Sequence, residues 1–455
     1  MTRNTYITQL TLASLLIQGL SCKKYLDEKP LQSKVIPGKL SDLQAMLDNT
    51  DINQSSSRTL ELLGDNYYLT SSDWQSSTPD ERLSYIWDKD ENYAVAWNQP
   101  YQRAIYPVNI VLDQLPLLPA AERENAGAAS VKGSALFFRA FQFLQLAQLY
   151  CKPYAAQNLT EPGIVLRLTA AVEEKSVRST VQGTYDQIIE DLLTAVDLLP
   201  VQTLYPTRPN KAAAYGTLAR AYLIMGKYEE AKRFANLCLQ TSNQLLDYNT
   251  LLPVKSPPFP RFSKEVIYFN KIQNVASLSK AKAKIDSTLY NSYDKDDLRK
   301  TLFFSTNTGI NKGTYGFRGS YEGITDFSCF DGIATDEVYL IRAECFARLN
   351  NKDSALIDLN KLMNTRWNNV VPYPTITATD ASDALTKVLL ERRKELVYRG
   401  LRWSDIRRLN VSGAGITLKR VVNNTTYTLP PNDLRSVQLI PKDVIAISGI
   451  AQNPR

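Results

Sequence analysis

The 455-residue chain contains no histidine. That absence excludes Ser-His-Asp and Cys-His catalysis, imidazole zinc sites and any histidine general base. An enzyme built from this chain would have to work with carboxylates, lysine, tyrosine or a Ser-Lys pair. Cysteine is scarce, at five residues, and no two form a Cys-x-x-Cys. Charge of one sign is also lacking. Lys+Arg is 53 against 46 Asp+Glu, a net +7 that is too diffuse for a nucleic-acid footprint. No Gly-x-Ser-x-Gly, P-loop or dinucleotide fingerprint occurs, so no cofactor is expected. Beyond Cys22 no run reaches the ~18 apolar residues of a membrane-spanning helix. What is present is ordinary for a globular protein: 44% hydrophobic and 22% charged residues. At about 100–200 residues per domain, the length allows two or three domains, or one large domain with insertions.

Arg3 is the only charge before Lys23, and Ile7–Leu20 between them is mostly apolar. A basic start, a short apolar middle and small residues near Cys22 predict a secretory signal over residues 1–21. Gly19-Leu20-Ser21-Cys22 resembles a bacterial lipobox, with Gly19 where Leu is usual. Cys22 is therefore the expected lipidation site, with residues 22–34 as a tether. Acyl chains on one residue would hold the protein at a membrane without spanning it. Of the other cysteines, Cys238 and Cys345 fall at apolar positions of helical patterns and are expected as buried free thiols.

Two segments share one pattern. Tyr215, Ala219, Tyr222, Ala231, Ala235 and Cys238 follow each other at spacings of 4, 3, 9, 4 and 3, as do Tyr339, Ala343, Phe346, Ala355, Leu359 and Leu362. Spacings of 4 and 3 share a helix face. The step of 9 crosses a turn, Met225–Tyr228 or Leu349–Lys352, whose Gly and Asn tolerate the left-handed conformation that ends helices. This is the helix-turn-helix logic of a tetratricopeptide repeat. A third copy is expected from Leu136, Ala140 and Phe143 with a second helix at Tyr185–Leu199, interrupted by a long insertion at Cys151–Thr184. A fourth would use Leu385–Tyr398 and Trp403–Leu409. Tyr85–Leu118 contains another expected long helix, with Trp97, Tyr101, Ile105, Asn109 and Leu112 on one face. Asp51–Glu81 and Leu251–Ile333 lack sustained periodicity, and Val421–Leu429 and Ser436–Pro441 predict a short strand or two. For the repeat helices, a packed core is the expected role.

Few residues suggest chemistry. Asp294–Asp297 lacks the alternating ligands and glycine of a calcium loop and reads as a solvated turn, so no metal is expected. Ser277-Leu-Ser-Lys280 matches a Ser-x-x-Lys pattern without its partner motifs and reads as chance. The basic stretch Glu391–Arg408 interleaves acids, predicting local ion pairs, with Leu390, Val397, Leu401 and Ile406 facing a core. The remaining signal is aromatic, led by 25 Tyr. Tyr and Trp combine a flat apolar face with a polar handle. The loop aromatics Tyr67, Tyr68, Trp74, Tyr293, Tyr315, Phe317 and Tyr321 are the candidate ligand platform.

Cys22–Pro30, Arg139–Tyr154, Asp336–Arg348 with Asp358-Leu-Asn360 and Arg366, Glu391–Leu396 with Gly400-Leu-Arg402 and Asp405–Arg408, and Gln452-Asn-Pro454 together resemble the SusD/RagB family of surface nutrient-binding lipoproteins. Arg399 departs from that pattern, standing where an acidic residue is common, which is expected to weaken one ion pair. The resemblance implies a mainly α fold: a tetratricopeptide-like helix-pair scaffold with a loop-rich C-terminal part and a few short strands. It implies an N-terminal helical region at 35–250 and a C-terminal region at 251–455, the latter holding variable ligand loops (251–333) and late helix pairs (334–410). It also implies a role. Such a lipoprotein sits on the outer membrane, captures oligosaccharide or sometimes peptide, and passes it to a SusC-like TonB-dependent transporter without catalysis. Weak affinity, about 4–8 kcal/mol, is expected of such capture. The alternatives are peptide capture, a carboxylate-dependent glycoside hydrolase, and a scaffold that binds only protein.

Overall fold

Helix-forming periodicity and side-chain caps set most of the elements. A computed structural model describes residues 37–90, 94–272, 275–324 and 328–455. Residues 1–21, Cys22 and the whole tether to residue 34 lie outside the described residues. The long helices are α1 (Leu40–Leu47), α2 (Tyr106–Gln114), α3 (Gly127–Tyr150), α4 (Val181–Leu198), α5 (Lys211–Ile224), α6 (Tyr228–Thr241), α7 (Thr335–Arg348), α8 (Lys352–Asn364), α9 (Ala381–Glu395) and α10 (Arg402–Val411). Thr180, Asn210, Asn351 and Asp380 cap α4, α5, α8 and α9, each accepting a bond from a first-turn N–H.

The pairs α3/α4, α5/α6 and α7/α8 pack as antiparallel hairpins, and α4 on α5 and α6 on α7 join them into a row. Ala219, Ala231, Ala235, Cys238, Ala343, Ala355, Leu359 and Leu362 are all fully buried at the crossings. The turns carry Gly226 at φ +71° and Asn350 at φ +62°, the left-handed residues the spacing requires. Cys151, Cys238 and Cys345 are free and buried, and Cys329 is buried. The mainly α architecture expected from the sequence is the one observed.

From Gly133 onward α3 is buried on every side, so it forms the centre of the core rather than one face of a surface helix. Its polar side chains act as cross-links. Arg139 forks onto Asp191 of α4 at 2.8 Å, and Gln145 reaches both Ser56 and Asp331, which lie far apart in the chain.

Several expectations are corrected. Within 85–118, the helix that carries Trp97 to Leu112 runs from Ala94 to Gln114 and is not regular throughout. A short helix ends at Tyr85, Trp87 takes φ +51°, and helix resumes at Ala94. It then passes through a π-helical turn at Tyr101–Ile105 into α2. Pro100 and Pro107 explain the turn, since each lacks an N–H and crowds the carbonyl four residues back. α9 and α10 are not a repeat hairpin like the others. α9 lies on α7 and α8, whereas α10 crosses to α5 and to the short helix Thr59–Leu62. Tyr398 and Gly400, at φ +58° and +67°, redirect the chain between them. Leu390 is exposed, on the outer face of α9. Ser436–Pro441 holds no strand.

The strands are short. They are β1 (Tyr67–Tyr68), β2 (Pro162–Val165), β3 (Arg178–Thr180), β4 (Val266–Tyr268), β5 (Lys271–Ile272), β6 (Lys284–Ile285), β7 (Phe304–Thr306), β8 (Tyr315–Phe317), β9 (Cys329–Phe330), β10 (Ile333–Ala334), β11 (Leu418–Val422) and β12 (Thr425–Leu429). They pair as antiparallel ladders β1–β6, β2–β3, β4–β10, β5–β9, β7–β8 and β11–β12. The β1–β6 ladder ties an N-terminal loop to the 251–333 region. Lys39–Arg455 fold together as a compact unit; Pro37 and Gly38 belong to a separate N-terminal unit and carry no regular structure.

Candidate ligand site in the C-terminal loops

The loop region is held by a buried ionic network. Asp297, read as part of a solvated turn, is instead buried and bonds Arg299 at 2.6 Å. Arg299 also reaches Glu391 and Glu395, and Arg366 bridges Glu395 to Glu265. Arg399, expected to weaken a pair, forms one with Asp336 at 3.2 Å. The late-helix motif residues thus serve as a ring of buried charges into which the loops are tied. Pairing of this kind offsets the cost of burying the charges.

Three of the seven candidate aromatics belong to that support. Tyr67, Tyr293 and Tyr321 are each 1% exposed. The Tyr67 hydroxyl donates to the Leu62 carbonyl, and that of Tyr293 to the Lys394 carbonyl. The Tyr321 hydroxyl donates to Glu265 at 2.8 Å and lies 2.7 Å from the Tyr248 hydroxyl. Their rings present no face to solvent. Trp74 is half-buried, with its indole N–H donating to the Arg82 carbonyl and the Arg82 guanidinium 5.6 Å from its ring. Tyr68 is half-buried on β1, opposite Lys284.

Tyr315 and Phe317 behave differently. They sit two apart on β8, so they share a face. Both are half-buried. Tyr315 stacks on Tyr290 at 3.5 Å between centroids, and Phe317 stacks on Tyr398 at 4.6 Å. Burial pushes the Tyr290 hydroxyl above its ordinary pKa. Gly316 between them makes room for a neighbouring loop. A Cβ there would lie 2.6 Å from Lys280 Cγ and 3.0 Å from the Lys280 carbonyl. That close approach sets Lys280 beside Phe317. The two residues, with Tyr398, Leu278, Ser256 and Arg318, line a cavity of about 250 Å³ whose floor reaches Ser328 and Cys329. Lys280, Arg318, Tyr290 and Tyr398 were missed by sequence reasoning. Tyr290, three residues before Tyr293, was the one legible signal among them.

A larger cavity of about 410 Å³ lies against the π-helical turn, lined by Trp97, Tyr101, Tyr106, Asn109 and the inserted loop from Val165 to Ser176. Most of its polar atoms are already used to pin that loop. The Tyr101 hydroxyl donates to the Val165 carbonyl, and the Asn109 amide to the carbonyls of Arg167 and Thr169. Arg167 is itself bonded to Ser176 and the Glu174 carbonyl. The loop cavity, with a ring face beside two cations that no carboxylate matches among the described residues, is the better candidate.

A family model described as "Starch-binding associating with outer membrane" matches residues 24–223, and one described as "SusD family" matches residues 260–438. The chain belongs to the SusD family. It is 24% identical to "SusD-like protein P2" of Formosa agariphila over 71% of this chain and 73% of that protein. A SusD superfamily protein from Bacteroides thetaiotaomicron shares the fold at TM-score 0.76 and 20% identity, covering 92% of this chain and 100% of that one. A protein described as a sugar-binding protein from Bacteroides vulgatus matches at TM-score 0.73 and 23% identity, over 92% and 99%. A laminarin-binding SusD-like protein matches at TM-score 0.67 and 16% identity, over 92% and 100%. Among the described residues no helix is long and apolar enough to cross a membrane.

Proposed function

We propose that this chain is a non-catalytic glycan-capture protein, held at the outer membrane through lipidated Cys22. It would deliver oligosaccharide to a SusC-like TonB-dependent transporter. The observation that carries the reading is the loop cavity, where the half-buried Phe317 ring, backed by the buried Tyr398, stands beside polar groups, in a SusD-family chain. Apolar C–H faces of sugars pack on such rings, and side-chain donors bond the hydroxyls. A glycoside hydrolase would need two carboxyl groups facing each other across the cleft, ~5–9.5 Å apart. Among the described residues no carboxylate lines this cavity.

The test is calorimetric titration of the full chain with a panel of oligosaccharides and, in parallel, peptide digests. One glycan class should bind, with no product formed. Replacing Phe317 by Ala should weaken that binding about two- to tenfold, the worth of one ring contact at ~0.5–1.5 kcal/mol. Undiminished affinity in that variant would overturn the site. Heat from peptides alone would move the function to peptide capture.

A further inference from the structure

We propose that the captured glycan is acidic, its anionic group seating between Arg318 and Lys280 at the aromatic wall of the loop cavity. The inference rests on the glycan-capture reading and names its substrate class. Both cations line the cavity, and among the described residues neither has a carboxylate within ion-pair distance. Neighbouring buried cations are matched: Lys284 with Asp73, Lys271 with Glu322, and Arg299 with Asp297.

Arg318 is held in place without being neutralised. Its Nη2 donates to the carbonyls of Pro253 and Thr301, which fix the guanidinium from a loop and from the short helix Arg299–Leu302. Its Nε is buried and has no hydrogen-bond partner. Burial pushes its pKa below the ordinary guanidinium value, with no counter-charge opposing that shift. A partly desolvated, unmatched guanidinium is costly unless an anion completes it. Its Nη2 hydrogens are committed to those carbonyls, so Nη1 is the group left to donate to a carboxylate or a sulfate ester. Lys280 is exposed, and its backbone is positioned against Gly316. It supplies a second positive charge at the cavity edge. A uronic acid and a sulfated sugar share the required chemistry: a flat pyranose for Phe317 and an oxyanion for the two cations.

The experiment titrates the full chain with three oligomers of equal length: a neutral glucan, a uronic-acid polymer fragment and a sulfated galactan fragment. At least one acidic oligomer should bind tenfold or more tightly than the neutral one. That advantage should shrink as salt is raised from about 50 to 500 mM. Lys280→Gln, at an exposed position, should cut the acidic preference severalfold, read as the ratio of acidic to neutral affinity. Arg318→Gln should abolish the preference, provided its melting temperature matches the parent. Tighter uronate binding assigns the anion as a carboxylate, and tighter sulfate binding assigns it as a sulfate ester. Equal or stronger binding of the neutral oligomer, still sensitive to Phe317→Ala, would overturn the acidic inference and leave glycan capture standing. No binding of any oligomer would overturn both.

Discussion

Tyr321 shows how a residue's surroundings decide its role. In sequence it stands in a glycine-rich aromatic loop. In the structure it donates to Glu265, neighbours Tyr248 and Asp336, and lies under the Arg399 guanidinium at 4.8 Å. Burial pushes its hydroxyl well above the ordinary phenol value, so it stays a neutral donor. Tyr321→Phe would leave a buried carboxylate short of a hydrogen bond. The expected loss is about 1–3 kcal/mol of stability, read by urea unfolding. Ligand affinity should be untouched, because the ring faces no cavity. Phe317, four residues earlier, is expected to show the reverse: affinity lost and stability largely kept.

Between elements, the decisive contacts are small residues at helix crossings and paired charges between helices. Gly216 of α5 lies where a Cβ would meet Ile333 Cγ2 at 2.5 Å, so only glycine admits β10 that closely. Arg139 and Asp191 join α3 to α4 across 52 positions of sequence, with both side chains under 10% exposed. Asp191→Ala would strand the guanidinium in the core. Removing one partner of a buried pair costs roughly 3–5 kcal/mol, so the chemical-denaturation midpoint should fall sharply. A double replacement of Arg139 and Asp191 by apolar residues should recover part of that loss. The π-helical turn in front of α2 is the other device at this scale. It lets Asn109 donate to the inserted loop and accept from Arg139 Nη1 at once.

The whole molecule is expected to be most stable in mildly acidic solution. Burial pushes Glu61 up to about 7, against the Gly400 N–H and the Asn66 amide that favour its charged form. Burial likewise raises Asp331 to about 6. For such groups the folded state binds more protons than the unfolded chain between about pH 4 and 7. Stability therefore falls as pH rises through that window, by about 3 kcal/mol for Glu61 alone. Asp405 and Asp65 act in the opposite sense. Burial opposes their ionisation, but Arg392 and Arg408 hold Asp405 at about 2, and Arg402 holds Asp65 there. Their contribution is present above about pH 4 and is lost as pH falls toward 2. Melting temperature measured from pH 2 to 8 should peak near pH 4–5. A flat profile from pH 5 to 8 would show that Glu61 and Asp331 are not buried as described.

Local information determined the scaffold. Helix periodicity, the Gly226 and Asn350 turns and the capping residues act within a few residues of each other, so the repeat pairs are legible in the amino-acid sequence by itself. The family motifs are legible for the same reason, and the end of the chain shows what one of them does: Asn453 donates to the Tyr150 and Gln438 carbonyls and seals the core. Where prolines compete with periodicity, as at Pro100 and Pro107, local pattern alone misjudges the helix. The site is only partly legible. Tyr293 and Tyr321 look like Tyr315 and Phe317 in sequence, yet they differ in what lies across from them. The Lys394 carbonyl, 101 residues from Tyr293, and Glu265, 56 residues from Tyr321, draw those two inward. Lys280 joins Phe317 only because two loops meet at Gly316. Such pairings are set by long-range packing and charge matching, which tertiary structure alone decides.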